Sequence, residues 1–181
     1  YVDGAPSIAQ MLAAALPILS RNEKGFLAVV EEEGTDNLAN AMNAFGTLEA
    51  LKRADEAVGV AHGFAQANPD TLLIMAADSD AAGLQVYSGR FAQAGEVVRP
   101  VPPAGGLLYG QQGAFGDVFM SAPDANGVRH PFAIALVGYS DVAGGILVRG
   151  AGLNSDRISP LMDATDVYKV MHTTLFGTVF E

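Results

Sequence analysis

A chain of 181 residues is long enough for one domain or a large part of one, and half of it is apolar against 17 % charged, which excludes a disordered tail, a charged linker or a collagen-like repeat. Ten Lys and Arg against twenty Asp and Glu leave a net charge of −10, the wrong sign for neutralising phosphates, so nucleic acid is not an expected partner. The absence of cysteine removes disulfides, thiol catalysis and zinc–thiolate centres.

The first element is Gly4–Ser20 (GAPSIAQMLAAALPILS), charge-free over about the length of a short membrane span. Pro6, Ser7, Gln10 and Pro17 interrupt it, and it lacks the basic flank of a signal peptide. Ile8, Met11, Leu12, Ala15, Leu16 and Leu19 recur at three- and four-residue spacing, which predicts a helix outside any membrane, and no membrane span is expected. The chain opens on Tyr1 rather than Met, so residues upstream are expected.

Gly25–Val30 (GFLAVV) is a short unbroken apolar run, the pattern of a strand covered on both faces as in a parallel sheet. It ends in the acidic cluster Glu31, Glu32, Glu33, Gly34, Thr35, Asp36. Thr47 opens a predicted helix with Leu48, Leu51, Ala54, Val58, Ala61 and Phe64 on one stripe, stopped by Asn68, Pro69 and Asp70. A second apolar run, Thr71–Ala77 (TLLIMAA), leads into Asp78, Ser79 and Asp80. Strand, helix, strand reads as a βαβ unit with carboxylates at both strand ends, the edge at which open parallel sheets bind ligands.

From about 84 to 131 the periodicity degrades, with Pro100, Pro102, Pro103 and many glycines, which predicts an insertion of irregular structure or short strands. Tyr109, Phe115 and Phe119 within it read as loop anchors, or as a cover for a substrate or a dimer partner. Strands are expected again at Phe132–Val137 and Ile146–Val148, and a last helix from about Thr165. Of the three histidines, His62 and His172 fall in helical patterns and read as structural, and His130, before Pro131, as a surface loop residue.

No P-loop, dinucleotide fingerprint, HExxH or GxSxG is present. Asp78, Asp80 and Gly83 match the opening of an EF-hand loop, but Gly89 stands where the bidentate Glu belongs. What remains is carboxylates at strand ends: Glu31 and Asp36, then Asp78, then Asp141. On pattern alone these read first as a solvated acidic rim. The second reading places a hard cation such as magnesium, calcium or manganese among them, because gathered carboxylates repel one another without one.

The order of the segments resembles the alkaline phosphatase family. Asn22–Asp36 (NEKGFLAVVEEEGTD) is similar to that family's strand with its E-x-x-x-x-D, Leu48–Gly59 (LEALKRADEAVG) to the helix behind the site, and Asp70–Asp80 (DTLLIMAADSD) to its D-T-L-x-x-x-T-A-D-H strand. SDVAGGILVRGAG and DATDVYKVMHTTLFG resemble its last strands and C-terminal helix. The resemblance implies an α/β fold, a mostly parallel sheet with flanking helices, of which residues 1–181 would be the C-terminal portion. It implies a metal-dependent phosphomonoesterase in which Glu31 holds magnesium, Asp36 the first catalytic metal and Asp78 the second.

By the same resemblance Asn40, Ser79 and Asp141 stand where the family has metal-binding histidines. All three are oxygen donors, which shifts the expected ions from zinc towards magnesium, calcium or manganese. The family's nucleophile, a further metal-ligating Asp and a phosphate-clamping Arg would lie in the missing N-terminal half, so no catalytic nucleophile is assigned within residues 1–181, and the chain alone is expected to be inactive. The implied partners are a phosphate monoester substrate, that N-terminal half and a second copy in a homodimer, in the periplasm or outside the cell. The alternative reading is a non-catalytic relative that keeps the fold and binds a cation.

Overall fold

The computed structural model describes residues 1–88, 107–110, 113–114 and 119–178. They form two compact units, one of Tyr1–Glu31, Arg53–Ala77 and Ile146–Glu181, the other of Glu32–Lys52 and Asp78–Gly145.

The first unit opens with α1, Ile8–Leu19. Ser7 caps it: the Ser7 hydroxyl accepts from Gln10 N and the Gln10 side chain accepts from Ser7 N, so two otherwise orphaned donors are satisfied. Ile8, Leu12 and Leu16 turn inward, as the spacing predicts, whereas Met11 faces out. Gly25–Val30, expected as a strand, has no regular secondary structure and no ladder partner among the described residues. Phe26 packs its ring 6.1 Å from Phe64, while Leu27 and Val29 are 59 % and 87 % exposed. Apolarity alone does not make a strand, because a strand exists only through a neighbour that takes its backbone hydrogen bonds.

Helix α3, Ala44–Ala67, runs through both units and follows α2, Gly34–Asn40, which the acidic cluster concealed. The most buried residues of α3 are Ala44, Thr47, Ala50, Ala57 and Ala65; of the predicted stripe Leu48, Ala54, Val58, Ala61 and Phe64 are half-buried and Leu51 is exposed. Four of these five most buried residues are alanines, six to eight residues apart, and their small side chains let neighbouring backbone approach closely. His62, read as structural, lies exposed on this helix.

Strand β1, Leu72–Ala76, pairs antiparallel with the strand at Val148–Gly152, with Leu72 opposite Gly152 and Ala76 opposite Val148. The expected βαβ unit with Gly25–Val30 is therefore absent from the described residues. The last strand lies two residues beyond its predicted start, since Ile146 and Leu147 are unpaired and exposed. Gly152 has φ +84°, and a Cβ there would collide with the Thr71 carbonyl oxygen. The unit closes with α4, Ala164–Phe176, whose Asp163 cap and Asp166 side chain form a second reciprocal capping box.

In the second unit the region read as irregular or short strands supplies short strands: β2, Gln85–Ser88; β3, Leu107–Gly110; β4, Gly113–Ala114; β5, Phe119–Met120. All are organised by β6, Pro131–Leu136, which pairs antiparallel with β2, β3 and β5, while β4 pairs with β3. Val148–Gly152 is β7 in chain order. The sheet expected to be mostly parallel is thus antiparallel at every described pairing. Ile134 and Leu136 are fully buried in a core with Ala39, Met42, Ala44, Ala82 and Phe119, and Phe119 stacks on Phe132 at 5.3 Å. Phe115 lies outside the described residues, and Tyr109 is placed by its backbone in β3.

Two substitutions test these placements. Leu136→Ala should cost about 2–5 kcal/mol in denaturant unfolding, because the cavity has no room to collapse. Gly152→Ala should lower the thermal midpoint further than a surface Gly→Ala change such as Gly59→Ala, since both its φ and the Thr71 carbonyl forbid a side chain.

Candidate functional site

Helix α2 places Asp36 and Asn40 four residues apart, on one face one above the other. The Asn40 amide Nδ2 donates to Asp36 Oδ1 at 2.8 Å and, across 101 residues of sequence, to Asp141 Oδ1 at 2.9 Å. Both protons of one amide are therefore spent on two carboxylates. The other end of the amide, Asn40 Oδ1, is buried and accepts no hydrogen bond from the described residues.

Asp141 reaches this point through a loop crossing. Asp80 and Val142 form an isolated antiparallel bridge, with Val142 N donating to Asp80 O at 3.2 Å, so the turn after β6 is tied to the loop after β1. A 3₁₀ turn, Ala81–Gly83, continues that loop and packs against α2. Ala82 O accepts from Val137 N at 2.7 Å, which pins the turn to the end of β6. Gly83 sits at φ +58° against Val137 and Val142, where a side chain would have to displace both.

Burial raises the Asp36 carboxyl above its ordinary value, and the neighbouring Asp141 adds to this by charge and by a hydrogen bond between the two carboxyls. Glu33 contributes in the same direction, and the Asn40 donor partly offsets them. Three of the six candidate residues, Asp36, Asn40 and Asp141, are thus brought together. Asp78 is exposed and Ser79 half-buried on the bridged loop, and Glu31 lies in the other unit. Among the described residues no three Asp, Glu, His or Cys side chains gather as a metal cluster, so the set here is two carboxylates and an amide.

The amide fork was not read from the sequence. Its signal was the D-x-x-x-N spacing of Asp36 and Asn40, which becomes a shared face only once a helix is recognised there. A second pair also escaped: Asp124 Oδ2 meets His130 Nε2 at 3.1 Å, and Asp124 Oδ1 accepts from Asn126 N and Val128 N. His130 first, then those two backbone donors, hold the Asp124 carboxyl below its ordinary value. This exposed turn carries no further partner for the site. His172 lies on α4 between the rings of Tyr168 and Phe176, with centroids 5.8 and 4.7 Å away.

The family model for alkaline phosphatase matches residues 2–100. An alkaline phosphatase of Escherichia coli is 36 % identical over 105 residues, 58 % of this chain and 20 % of the relative. One of Escherichia fergusonii is 27 % identical over 173 residues, 94 % of this chain and 32 % of the relative. Alkaline phosphatase H of Pseudomonas aeruginosa is 38 % identical over 73 residues, 40 % of this chain and 15 % of the relative. The chain therefore spans a third or less of the length of these relatives.

The raised Asp36 carboxyl has a measurable consequence. A carboxyl whose folded value lies above its unfolded value, about 3.9 for Asp, contributes stability that is present at lower pH and is lost as pH rises through the folded value. Asp141→Asn keeps an oxygen for Asn40 and removes the charge. The Asp36 resonance should then titrate lower in a carboxyl ¹³C NMR experiment, and the loss of thermal stability between pH 4 and 7 should shrink. An unchanged Asp36 titration would assign the elevation to burial and Glu33.

Proposed function

Because this chain belongs to the alkaline phosphatase family, we propose that it is part of a metal-dependent phosphomonoesterase and that Asp36, Asn40 and Asp141 hold a divalent cation of its active site. The observation that carries the reading is the Asn40 amide joining two carboxylates from distant segments while its own oxygen stays buried and unsatisfied. Two carboxylates close together, one of them raised by burial and by the other, fit a hard cation, and the Asn40 oxygen joins them if the amide turns end for end. Oxygen donors in place of imidazole suit magnesium, calcium or manganese better than zinc. Asp78 and Ser79, in the same unit, are the further oxygen donors of this reading.

A divalent ion bound there would polarise a phosphoryl oxygen and stabilise the charge that develops on phosphoryl transfer. The chain's own contribution is orientation. The α2 spacing sets Asp36 over Asn40, the Asp80–Val142 bridge sets Asp141 beside them, and Ala82 O fixes the loop between. The nucleophile and phosphate clamp belong to the remainder of the fold, so the 181-residue chain alone does not turn over a phosphate monoester. A periplasmic or secreted location and a homodimer follow from the family alone; among the described residues no helix is long and apolar enough to cross a membrane.

One observation favours a second reading, a non-catalytic relative that binds a cation for structure: Asn40 already holds the two carboxylates together by hydrogen bonds where a family member has a histidine. Two measurements separate these readings. In calorimetric titration of the chain with Mn²⁺, Asp141→Ala should weaken binding at least tenfold and His172→Ala should leave it unchanged; the reverse result removes the assignment. In the protein extended to include the rest of the fold, p-nitrophenyl phosphate hydrolysis that is lost in Asp36→Ala supports the enzyme, and cation binding without hydrolysis supports the alternative.

A further inference from the structure

In the first unit the face of α4 that carries Asp166, Lys169, Val170 and Thr173, at i, i+3, i+4 and i+7, lines a cleft of about 270 Å³. The opposite wall is the segment leading into the helix, with Arg157, Ser159 and Met162. None of these residues belongs to the Asp36–Asn40–Asp141 cluster.

The groups in the cleft differ in what they have left to offer. Asp166 is engaged on both oxygens, Oδ1 by Lys169 Nζ at 3.0 Å and Oδ2 by Asp163 N at 3.1 Å. Lys169 retains two N–H donors. Arg157 lines the cleft, and among the described residues no carboxylate forms an ion pair with its guanidinium, a fork of five donors. The hydroxyls are opposite in character: Ser159 Oγ donates to Leu161 O at 2.6 Å and Thr173 Oγ1 to Thr178 O at 3.0 Å, so each presents only lone pairs. Met162 and the buried Val170 are the apolar surface.

We propose that this cleft binds a small hydroxy- or amino-carboxylate with an apolar side chain. Lys169 is paired with Asp166, and Arg157 has no ion pair among the described residues, so one cationic group is left for one carboxylate. The carboxylate sits on Arg157, bidentate as its geometry favours, with Lys169 at its side. The ligand's hydroxyl or amino hydrogen is taken by Ser159 or Thr173, and its side chain covers Met162 and Val170. Inorganic phosphate fits less well: its second charge would face Asp166, and its unprotonated oxygens would meet the lone pairs of both hydroxyls.

The test is a titration of the 181-residue chain with 2-hydroxyisocaproate, leucine, isocaproate and inorganic phosphate, read by calorimetry and by NMR of the Met162 and Val170 methyl groups. The hydroxy and amino acids should bind more tightly than isocaproate, which lacks the donor, and more tightly than phosphate, with both methyl signals shifting. Arg157→Gln should weaken binding at least tenfold, with Arg157→Lys in between. Ser159→Ala should erase the advantage over isocaproate. Both side chains are exposed, so an unchanged far-ultraviolet dichroism spectrum certifies the fold of each variant. Tighter binding of phosphate, undiminished affinity in Arg157→Gln, or methyl signals that do not move would overturn the proposal.

Discussion

Asp36 and Asp141 carry like charges into a partly desolvated corner, and the Asn40 amide is what lets them stay there. Without a donor between them, two carboxylates at this separation raise each other's cost of ionisation and drive the segments apart. One amide supplies two hydrogens at the fixed angle of its NH₂ group, so its geometry dictates where α2 and the turn after β6 must lie. The Asp80–Val142 bridge and the Ala82 carbonyl serve that same requirement from the backbone side.

Beneath this corner the second unit depends on β6. Its buried run of Ala133, Ile134, Ala135 and Leu136 is apolar on both faces, and it takes ladder partners from β2, β3 and β5. The region that lacks periodicity is therefore organised by the strand it folds onto and not by its own pattern. Small residues against large ones complete the packing: Ala39, Ala44 and Ala82 lie where α2, the start of α3 and the 3₁₀ turn come close to Ile134 and Leu136.

The first unit rests on a different principle, local capping with few strands. Ser7 and Asp163 each close a reciprocal capping box, so α1 and α4 satisfy their first-turn donors without tertiary help. The single β1–β7 ladder tolerates close backbone approach only because position 152 is glycine. Arg53 lies 3.7 Å over the Tyr1 ring, a cation–π contact between the start of the chain and α3.

Local pattern in the sequence was sufficient for the existence of α1, α3, α4, β1 and β6, because three- and four-residue apolar spacing and short β-rich runs are properties of a segment taken by itself. Carboxylates also stand out at the ends of apolar runs, which is how Asp36 and Asp141 become candidates, and the family resemblance rests on such segments in order. Tertiary structure alone decided the pairing. It left Gly25–Val30 without a ladder, joined β1 to β7 antiparallel, and folded Gly34–Asn40 into a helix that sets Asn40 between two acids. Each of these outcomes depends on a group distant in sequence, a ladder partner or a carboxylate 101 residues away, and no local period encodes which distant group will arrive.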